Sequence, residues 1–280
     1  MAVPISVVMP ARNVRRFIRE AIVSVCTQSL SVSELIIIND GSTDGTGLEA
    51  DSVCRKLECD AEISPTPSFL VLHQDHRGIS SARNVGIRLA SQPWIAFLDA
   101  DDVWSRNKIE LQWSVIVRYP DVGVVSCAYS TFKDGGRVLP FFTSCLTNPS
   151  NSDIGEPGRF LPRIGPEFFT SGFVPLPSTV IVRREVIEEV GLFNEKLEAV
   201  EDFDCFMRIL ANYPLAIVER SLMGYRQHGT NTHRNLPLME ANLLKYCELV
   251  AANPQNYPPG TSEAATRGLE WVRTCYGLDS

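Results

Sequence analysis

Three aspartates stand close together at the end of one apolar run. Asp99, Asp101 and Asp102 follow Trp94–Leu98 within four residues. Two unit charges about 5 Å apart repel by roughly 3 kcal/mol at an effective dielectric constant near 20, so the cluster needs a compensating cation. Carboxylate oxygens suit Mg²⁺ or Mn²⁺, which take their remaining ligands from water and phosphate. We expect a divalent-metal site at an exposed strand end, although Asp102 could instead cap a helix that starts near Arg106.

A second acidic group lies about 100 residues further along the chain. Glu201, Asp202 and Asp204 open an amphipathic segment. Acids in the first turn of a helix offset its macrodipole, and Asp204 and Arg208 have the i,i+4 spacing of an ion pair. The local sequence alone therefore favours a structural role. His228, which follows an expected strand, is a metal ligand, a phosphate donor or an ordinary partly buried histidine.

Polar residues also follow the other early apolar runs. The segment Asn39–Asp44 is suited to a ligand, because Asp40 can accept hydrogen bonds from a base or ribose; the alternative is a turn with Asp44 as a helix N-cap. It is neither a GxGxxG nor a GxxxxGK phosphate loop. Arg83, in the segment Gly78–Gly86, could face a phosphate or hold the acidic edge together.

The elements that must position these residues alternate in the first 120 residues. Short apolar runs separated by amphipathic stretches are typical of βαβ units with a largely parallel sheet covered on both faces. Ligands of such sheets lie outside the carboxyl ends of the strands, which is where the polar residues fall. The expected strands are Ile5–Met9, Leu35–Ile38, Phe69–Leu72 and Trp94–Leu98.

The pattern changes after residue 120. A β-rich segment, Val122–Phe132, precedes an aperiodic stretch over 140–177 that is rich in Pro, Gly and Ser. Long irregular stretches within compact domains are commonly functional loops, so we expect an acceptor-side lid that carries Phe141, Phe142, Phe160, Phe168 and Phe169. A strand at Thr179–Val182 and four helices complete the expected elements. The helices are Arg184–Val190, Phe203–Tyr213, Leu238–Ala252 and Glu263–Tyr276.

Composition excludes several classes of protein. The 280 residues are 44% hydrophobic and 21% charged, with a formal net charge of −7, so no overall positive field attracts nucleic acid. The eight cysteines have no zinc-site spacing. The chain also lacks a signal-like start and an apolar window of about 18 residues. We expect a cytoplasmic protein; peripheral contact with the inner face of the cell membrane stays open, and the sequence does not predict the oligomeric state.

The order of these segments resembles the family 2 glycosyltransferases, which have the GT-A fold, invert configuration and use nucleotide-diphosphate sugars. The resemblance implies an α/β fold, with a Rossmann-like, mostly parallel central sheet covered by helices on both faces. It implies a GT-A domain over 1–235, with a nucleotide-binding half over 1–120 and an acceptor half over 121–235. The region 236–280 is then a helical C-terminal extension. The segments are Ser6–Asn13, Ile38–Asp44, Gly78–Asn84, Phe97–Asp102, Val190–Asn194 and Glu201–Asp202.

The resemblance also implies roles for individual residues. Asp202 matches the position of the general base, and Asp101, Asp102 and His228 match positions of metal ligands. Which of the aspartates at 99, 101 and 102 binds the metal and which binds the ribose is left open. Ala11 and Arg12 stand where an aromatic residue is common, and Tyr225–His228 replaces the product-release motif of processive members. Seven residues match positions that line the donor nucleotide and diphosphate: Pro10, Ala11, Asn13, Asp40, Arg83, Asp99 and Ala100.

The function implied is transfer of a sugar, with inversion, from a nucleotide-diphosphate donor to an acceptor hydroxyl. The expected donor is a UDP-sugar and the expected cofactor is Mn²⁺ or Mg²⁺. The acceptor is a glycan, a lipid-linked molecule or a small molecule, as in polysaccharide biosynthesis. Two alternatives remain: a sugar nucleotidyltransferase, which would want a basic Gly-rich loop after the first strand, and a non-catalytic nucleotide-sugar-binding protein with a GT-A fold.

Overall fold

The first half of the central sheet is parallel. The computed structural model describes residues 2–60, 65–133, 158–164 and 175–276. The strands of this half are β1 Val3–Ala11, β2 Val32–Asp40, β3 Ser68–Gln74 and β4 Trp94–Phe97. β1 pairs with β2 and β4, and β2 pairs with β3. β1, β2 and β4 are largely buried on both faces, as their continuous hydrophobic sequence indicates, whereas β3 is an edge strand with exposed residues such as Leu70.

The second half of the sheet is mixed. Its strands are β5 Val103–Trp104, β6 Val124–Lys133, β7 Arg159–Leu161, β8 Ile181–Arg183 and β9 Leu215–Gln227. β8 lies between β4 and β6 and is antiparallel to both, whereas β9 is parallel to β6. The described strands thus form one continuous sheet in the order β3-β2-β1-β4-β8-β6-β9-β5, with β7 paired to β9.

Helices cover both faces of this sheet and create two apolar cores. Ile5, Val7 and Met9 of β1 face a core with the first two helices, while Val8 faces a second core on the opposite side. This division follows from the alternation of side chains along a strand. The helices are α1 Ile18–Cys26, α2 Thr46–Glu58, α3 Ile79–Leu89, α4 Lys108–Arg118, α5 Arg184–Glu189, α6 Glu201–Leu210, α7 Leu236–Ala252 and α8 Thr261–Tyr276.

The C-terminal helices belong to the second core. Tyr246 and Val250 of α7 and Ala265 of α8 are buried in the same cluster as Ile209 of α6. The hairpin formed by α7 and α8 therefore shares its apolar packing with the sheet domain. None of the helices within the described ranges is long and apolar enough to cross a membrane. The six cysteines whose side chains the structure describes are free thiols.

The structure corrects several element boundaries. The helix expected at Phe203–Tyr213 begins earlier, at Glu201, and ends at Leu210. The strand expected at Thr179–Val182 is shifted to Ile181–Arg183, because Pro177–Thr179 forms a 3₁₀ turn. The suggestion that Asp102 caps the next helix is wrong, since α4 begins at Lys108 after Asn107.

Most of the expected lid lies outside the described residues. Phe141, Phe142, Phe168 and Phe169 are among the positions that the structure does not describe. Phe160 lies in β7, where its ring stacks on Tyr119 with centroids 4.7 Å apart. The lid itself stays a prediction.

Candidate functional site

The three aspartates after β4 occupy three different environments. Asp102 is only 2% exposed. Its Oδ2 accepts a hydrogen bond from Ser178 Oγ at 2.7 Å and its Oδ1 accepts one from the backbone N–H of Arg226 at 3.1 Å. The expectation that the whole cluster sits at an exposed strand end is therefore wrong for Asp102, because Ser178 and β9 close over it.

Ser178 joins Asp102 to Asp99. Its Oγ accepts a hydrogen bond from the Asp99 N–H at 3.0 Å while donating to Asp102. Its backbone carbonyl accepts a hydrogen bond from Trp104 Nε1 at 2.8 Å, which fixes the serine in place. One hydroxyl thus links the Asp102 carboxylate to the backbone of Asp99.

Arg83 supplies one buried positive charge to the acidic edge. Its Nη2 donates to Asp99 Oδ1 at 2.7 Å and its Nη1 donates to Glu201 Oε1 at 2.6 Å. The guanidinium is 1% exposed and lies 5.2 Å from the centre of the Phe193 ring. Of the two roles considered for Arg83, the structure shows the one that holds the acidic edge together, and it adds a link to α6.

Burial dominates the electrostatics of this cluster. It raises the pKa of Asp99, with Arg83 opposing the shift and Asp101 reinforcing it. Burial also raises the pKa of Asp102 well above its ordinary value, and the neighbouring Asp101 and Asp99 carboxylates add to the effect. The pKa of Arg83 is raised because Asp99 and Glu201 outweigh its own burial. The edge therefore favours additional positive charge, which is the condition for binding a divalent ion.

Asp101 faces His228 at the open side of the edge. Asp101 Oδ2 and His228 Nε2 are 2.9 Å apart. The imidazole stacks on Phe17 with centroids 4.8 Å apart, and its Nδ1 lies 2.9 Å from Thr230 Oγ1. Stacking and hydrogen bonding together hold the ring toward the carboxylate, so the structure brings Asp101 and His228 together; their binding of a metal stays a prediction.

Arg226 closes the site from β9. Its Nε donates to the Asp101 carbonyl at 2.8 Å and its Nη2 donates to Glu20 Oε2 at 2.5 Å. The guanidinium lies 4.9 Å from the centre of the Phe17 ring and 4.5 Å from that of Phe132. This buried arginine ties the turn after β4 to α1.

Asp202 lies at the start of α6, next to the residue that Arg83 binds. Its Oδ1 accepts a hydrogen bond from the Phe203 N–H at 2.8 Å. Burial and the adjacent Glu201 carboxylate raise the pKa of Asp202 to about 7, against the opposing effect of Arg83. A carboxylate with a pKa near neutrality is suited to accept a proton.

The other two acids of α6 are engaged structurally. Glu201 pairs with Arg83, and Asp204 Oδ2 accepts from Arg208 Nη2 at 2.8 Å, the i,i+4 pair that the sequence predicted. The helix is preceded by Val200, whose backbone is left-handed at φ 56°. That conformation costs a non-glycine residue roughly 1–2 kcal/mol, and such strain tends to occur at functional sites.

Asp40 anchors the turn that leads into α3. Its carboxylate accepts hydrogen bonds from Gln74 Nε2 at 2.8 Å, His76 Nδ1 at 2.7 Å, and the N–H groups of Arg77 at 2.8 Å and Gly78 at 3.0 Å. Burial alone would raise the pKa of Asp40, but these donors together hold it below its ordinary value. Hydrogen bonding to a base stays a prediction for this residue.

The loops after β1 and β2 hold each other. Asn13 has a left-handed backbone at φ 52°, and its Oδ1 accepts from the Thr43 N–H at 2.9 Å. Pro10 and Ala11 are buried at the end of β1, and Ala100 is buried beside the acids. Their contact with a nucleotide stays a prediction.

Asp44 stabilises the start of α2, much as expected from its alternative role as a helix N-cap. Its Oδ1 accepts from the Thr46 N–H at 2.9 Å, although Gly45 occupies the N-cap position of α2. The segment that holds Asp40 therefore includes a local helix-starting turn.

The structure thus brings two predicted groups together at one edge: Arg83, Asp99 and the start of α6, and Asp101 with His228. Ser178, which lies 76 positions from Asp102, was not predicted as a site residue because nothing in its local sequence indicates the contact. Arg226 lies in the segment Tyr225–His228, but the hydrogen bond from its backbone N–H to Asp102 spans 124 positions and has no local signal either.

Comparison with known proteins agrees with this architecture. Residues 6–191 match the sequence profile of Glycosyl transferase family 2. The chain belongs to this family. The motif-based prediction of the family is confirmed. The matched region of this family 2 chain ends before α6, so Asp202 and His228 lie beyond it.

Individual relatives are distant. An uncharacterized glycosyltransferase of Rickettsia felis is 26% identical over 258 residues, which cover 89% of this chain and 37% of that protein. The Escherichia coli enzyme WfgD, a UDP-Glc:alpha-D-GlcNAc-diphosphoundecaprenol beta-1,3-glucosyltransferase, is 32% identical over 114 residues, or 41% of each protein. The matched regions thus cover 37% of the Rickettsia relative and 41% of WfgD, less than half of either protein.

A solved structure confirms the fold. The mannosyltransferase PcManGT from Pyrobaculum calidifontis, in complex with GDP-Man and Mn²⁺, superposes with a TM-score of 0.65 at 17% identity. The alignment covers 100% of this chain and 76% of PcManGT. The predicted GT-A architecture is therefore confirmed.

Proposed function

We propose that this family 2 chain is an inverting glycosyltransferase that moves a sugar from a UDP-sugar to an acceptor hydroxyl. The observation that carries the proposal is the Arg83 bridge. Its two ion pairs, to Asp99 at 2.7 Å and Glu201 at 2.6 Å, bring the start of α6 to the acidic edge of the sheet. The acids proposed to bind the donor and the start of α6, which carries the proposed base Asp202, are distant in sequence and are joined by this bridge.

Metal binding is proposed at Asp101 and His228. Their donor atoms, 2.9 Å apart, are an oxygen and an imidazole nitrogen that both suit Mn²⁺. Each Asp102 oxygen already accepts one hydrogen bond from a protein group, which holds the carboxylate in place; its predicted role as a further metal ligand stays a prediction. Within the described residues, no group of three or more His, Cys, Asp or Glu side chains could hold a metal ion.

A two-ligand protein site fits an ion that takes its other ligands from diphosphate and water, as Mg²⁺ and Mn²⁺ commonly do. When bound, the ion would offset the negative charge that develops on the departing nucleoside diphosphate. Asp99, fixed by Arg83 and Ser178, is left to orient the donor from the same turn.

Asp202 is proposed to take the proton of the acceptor hydroxyl. As the oxygen attacks the anomeric carbon and the bond to the diphosphate breaks, the hydroxyl proton passes to the Asp202 carboxylate; a single displacement of this kind inverts configuration. A pKa of about 7 means that the carboxylate is mostly ionised above neutral pH and protonated below it. Transfer should therefore rise with pH through 7.

A lipid-linked diphosphate acceptor is the proposed acceptor class. The support is the name of the E. coli relative WfgD, whose acceptor is a diphosphoundecaprenol-linked sugar and whose donor is UDP-Glc. With such an acceptor the protein would work at the cytoplasmic face of a membrane in polysaccharide biosynthesis.

The experiment is titration of UDP by calorimetry with Mn²⁺ and with EDTA. We expect binding that weakens at least tenfold in EDTA, and the same loss with Mn²⁺ in Asp101→Asn. The matched control is Asp121→Asn, an exposed acid before β6 at the opposite end of the sheet. Equal affinity in Mn²⁺ and EDTA would contradict the metal site, and absence of any nucleotide binding would contradict the proposed function.

A further inference from the structure

The hairpin of α7 and α8 contacts the segment 198–204, which carries Asp202. The first contact is a hydrogen bond from the Glu198 N–H to Asn242 Oδ1 at 2.9 Å. Asn242 is 1% exposed, and its Nδ2 donates to the Leu238 carbonyl at 2.8 Å, which fixes the orientation of the amide. A backbone N–H just before α6 is thus satisfied by a side chain of the hairpin.

Two tyrosines make the next contacts. The Tyr246 ring packs edge-on against Phe203, with centroids 5.2 Å apart, and against Tyr257 at 5.9 Å. The Tyr257 hydroxyl donates to Asp204 Oδ1 at 2.7 Å, while the other oxygen of Asp204 pairs with Arg208. The residues on both sides of Asp202 in α6 therefore have fixed partners: Glu201 on Arg83 and Asp204 on Tyr257.

The strained residue of this segment is covered by the same hairpin. Val200, at φ 56°, packs against Leu243 of α7 and Leu269 of α8. A β-branched residue keeps a left-handed backbone only where its surroundings enforce it. The apolar cover from the hairpin is such a constraint, two residues before Asp202.

We propose that the α7–α8 hairpin is a positioning element for the Asp202 carboxylate, acting through Asn242, Tyr246 and Tyr257. The proposal rests on the proposed role of Asp202 as general base. Arg83 fixes the start of α6 from the sheet, and the hairpin fixes it from the opposite side. Without the hairpin contacts, the donor site would be intact but the base would be displaced from the acceptor hydroxyl.

The test compares Tyr257→Phe and Asn242→Leu with Thr261→Val. Thr261 is a matched control, because it is 1% exposed in the same hairpin and its Oγ1 donates to the Pro258 carbonyl, away from 198–204. The measurements are kcat for transfer at saturating donor and acceptor, the Kd of UDP with Mn²⁺, and the pH profile of kcat. The second variant carries the test if the first does not fold.

We expect kcat to fall about tenfold in each hairpin variant, with the UDP Kd within twofold of wild type. The acid limb of the pH profile should also move to lower pH, because a loosened Asp202 is better hydrated while Glu201, Arg83 and Asp99 still face it. Thr261→Val should change neither kcat nor the limb.

Two results overturn the inference, and they are distinguishable from failure of the proposed function. If both hairpin variants retain wild-type kcat and pH profile while Asp202→Asn is inactive, the hairpin does not position the base. If Thr261→Val loses as much activity as the variants, the effect is one of general stability. Wild-type transfer by Asp202→Asn would instead remove the base assignment and this inference with it.

Discussion

Replacing Asp202 by Asn should stabilise the protein at alkaline pH while removing its activity. The Asn side chain keeps an oxygen that can accept the hydrogen bond from the Phe203 N–H. It also removes a carboxylate that burial and Glu201 make costly to ionise. A catalytic carboxylate held in an unfavourable environment is thus expected to weaken the fold that carries it.

The magnitude follows from linkage between proton binding and folding. The pKa of Asp202 is raised from an ordinary 3.8 to about 7. Each pKa unit corresponds to about 1.4 kcal/mol, so the ionised group costs up to about 4 kcal/mol of stability. Below pH 3.8 the Asp202 carboxyl is protonated in both the folded and the unfolded protein, so it carries no cost of ionisation. As pH rises from 3.8 through 7 the unfolded state is increasingly favoured, and this stability is lost. The cost is therefore nearly complete at pH 8, and less than half of it is present at pH 5.

Urea unfolding of wild type and Asp202→Asn at pH 5 and pH 8 measures this difference. Because the side chain is only partly buried from solvent, screening lowers the effect, and we expect the stabilisation to be about 1–2 kcal/mol larger at pH 8. The exposed control Asp121→Asn should stay within about 0.5 kcal/mol at both pH values. Equal stabilisation at the two pH values, or a less stable variant at pH 8, would refute the raised pKa of Asp202.

Three further substitutions test the packing around the site. Arg83→Met leaves two carboxylates without their partner and should lower the free energy of unfolding by about 3–5 kcal/mol in urea, whereas a loss below about 1 kcal/mol would mean that the bridge contributes little. Asp40→Asn replaces one of the two oxygens that accept hydrogen bonds from four donors, so the backbone amides of residues 76–82 should show faster hydrogen exchange. Unchanged exchange would contradict the anchoring role of Asp40. In Gly86→Ala the new Cβ would lie 2.4 Å from Val8 Cγ1, and overpacking should cost about 1–3 kcal/mol, while Gly229→Ala, with open space around it, should cost less.

The parallel half of the sheet was predictable because burial on both faces leaves continuous apolar runs. Ile36–Ile38 and Trp94–Phe97 carry this signal directly, and turn residues mark where each run ends. β5 and β7 escaped detection because strands of two and three residues show no period. Their pairing with β9 is decided by tertiary contacts.

The site divides in the same way. The cluster of acids in the turn after β4 was predicted from the sequence, and so was a role for Arg83 in holding the acidic edge together. The burial of Asp102 could not be predicted, because it depends on Ser178 and on the backbone of Arg226, which contact it from distant segments. Local sequence also favoured a structural role for Asp202, since the signal that distinguishes it is the environment created by Glu201 and Arg83.

The most direct test of the account is the pH dependence of single-turnover sugar transfer in wild type and Asp202→Asn, measured with bound UDP-sugar and a lipid-linked acceptor. We predict that the wild-type rate rises from pH 5 to pH 8 with a midpoint near 7, as the pKa of Asp202 requires. Asp202→Asn should bind UDP normally and transfer at least about a hundredfold more slowly, without that rise. Transfer by Asp202→Asn at the wild-type rate and with the same pH profile would contradict the account and assign the proton to another group.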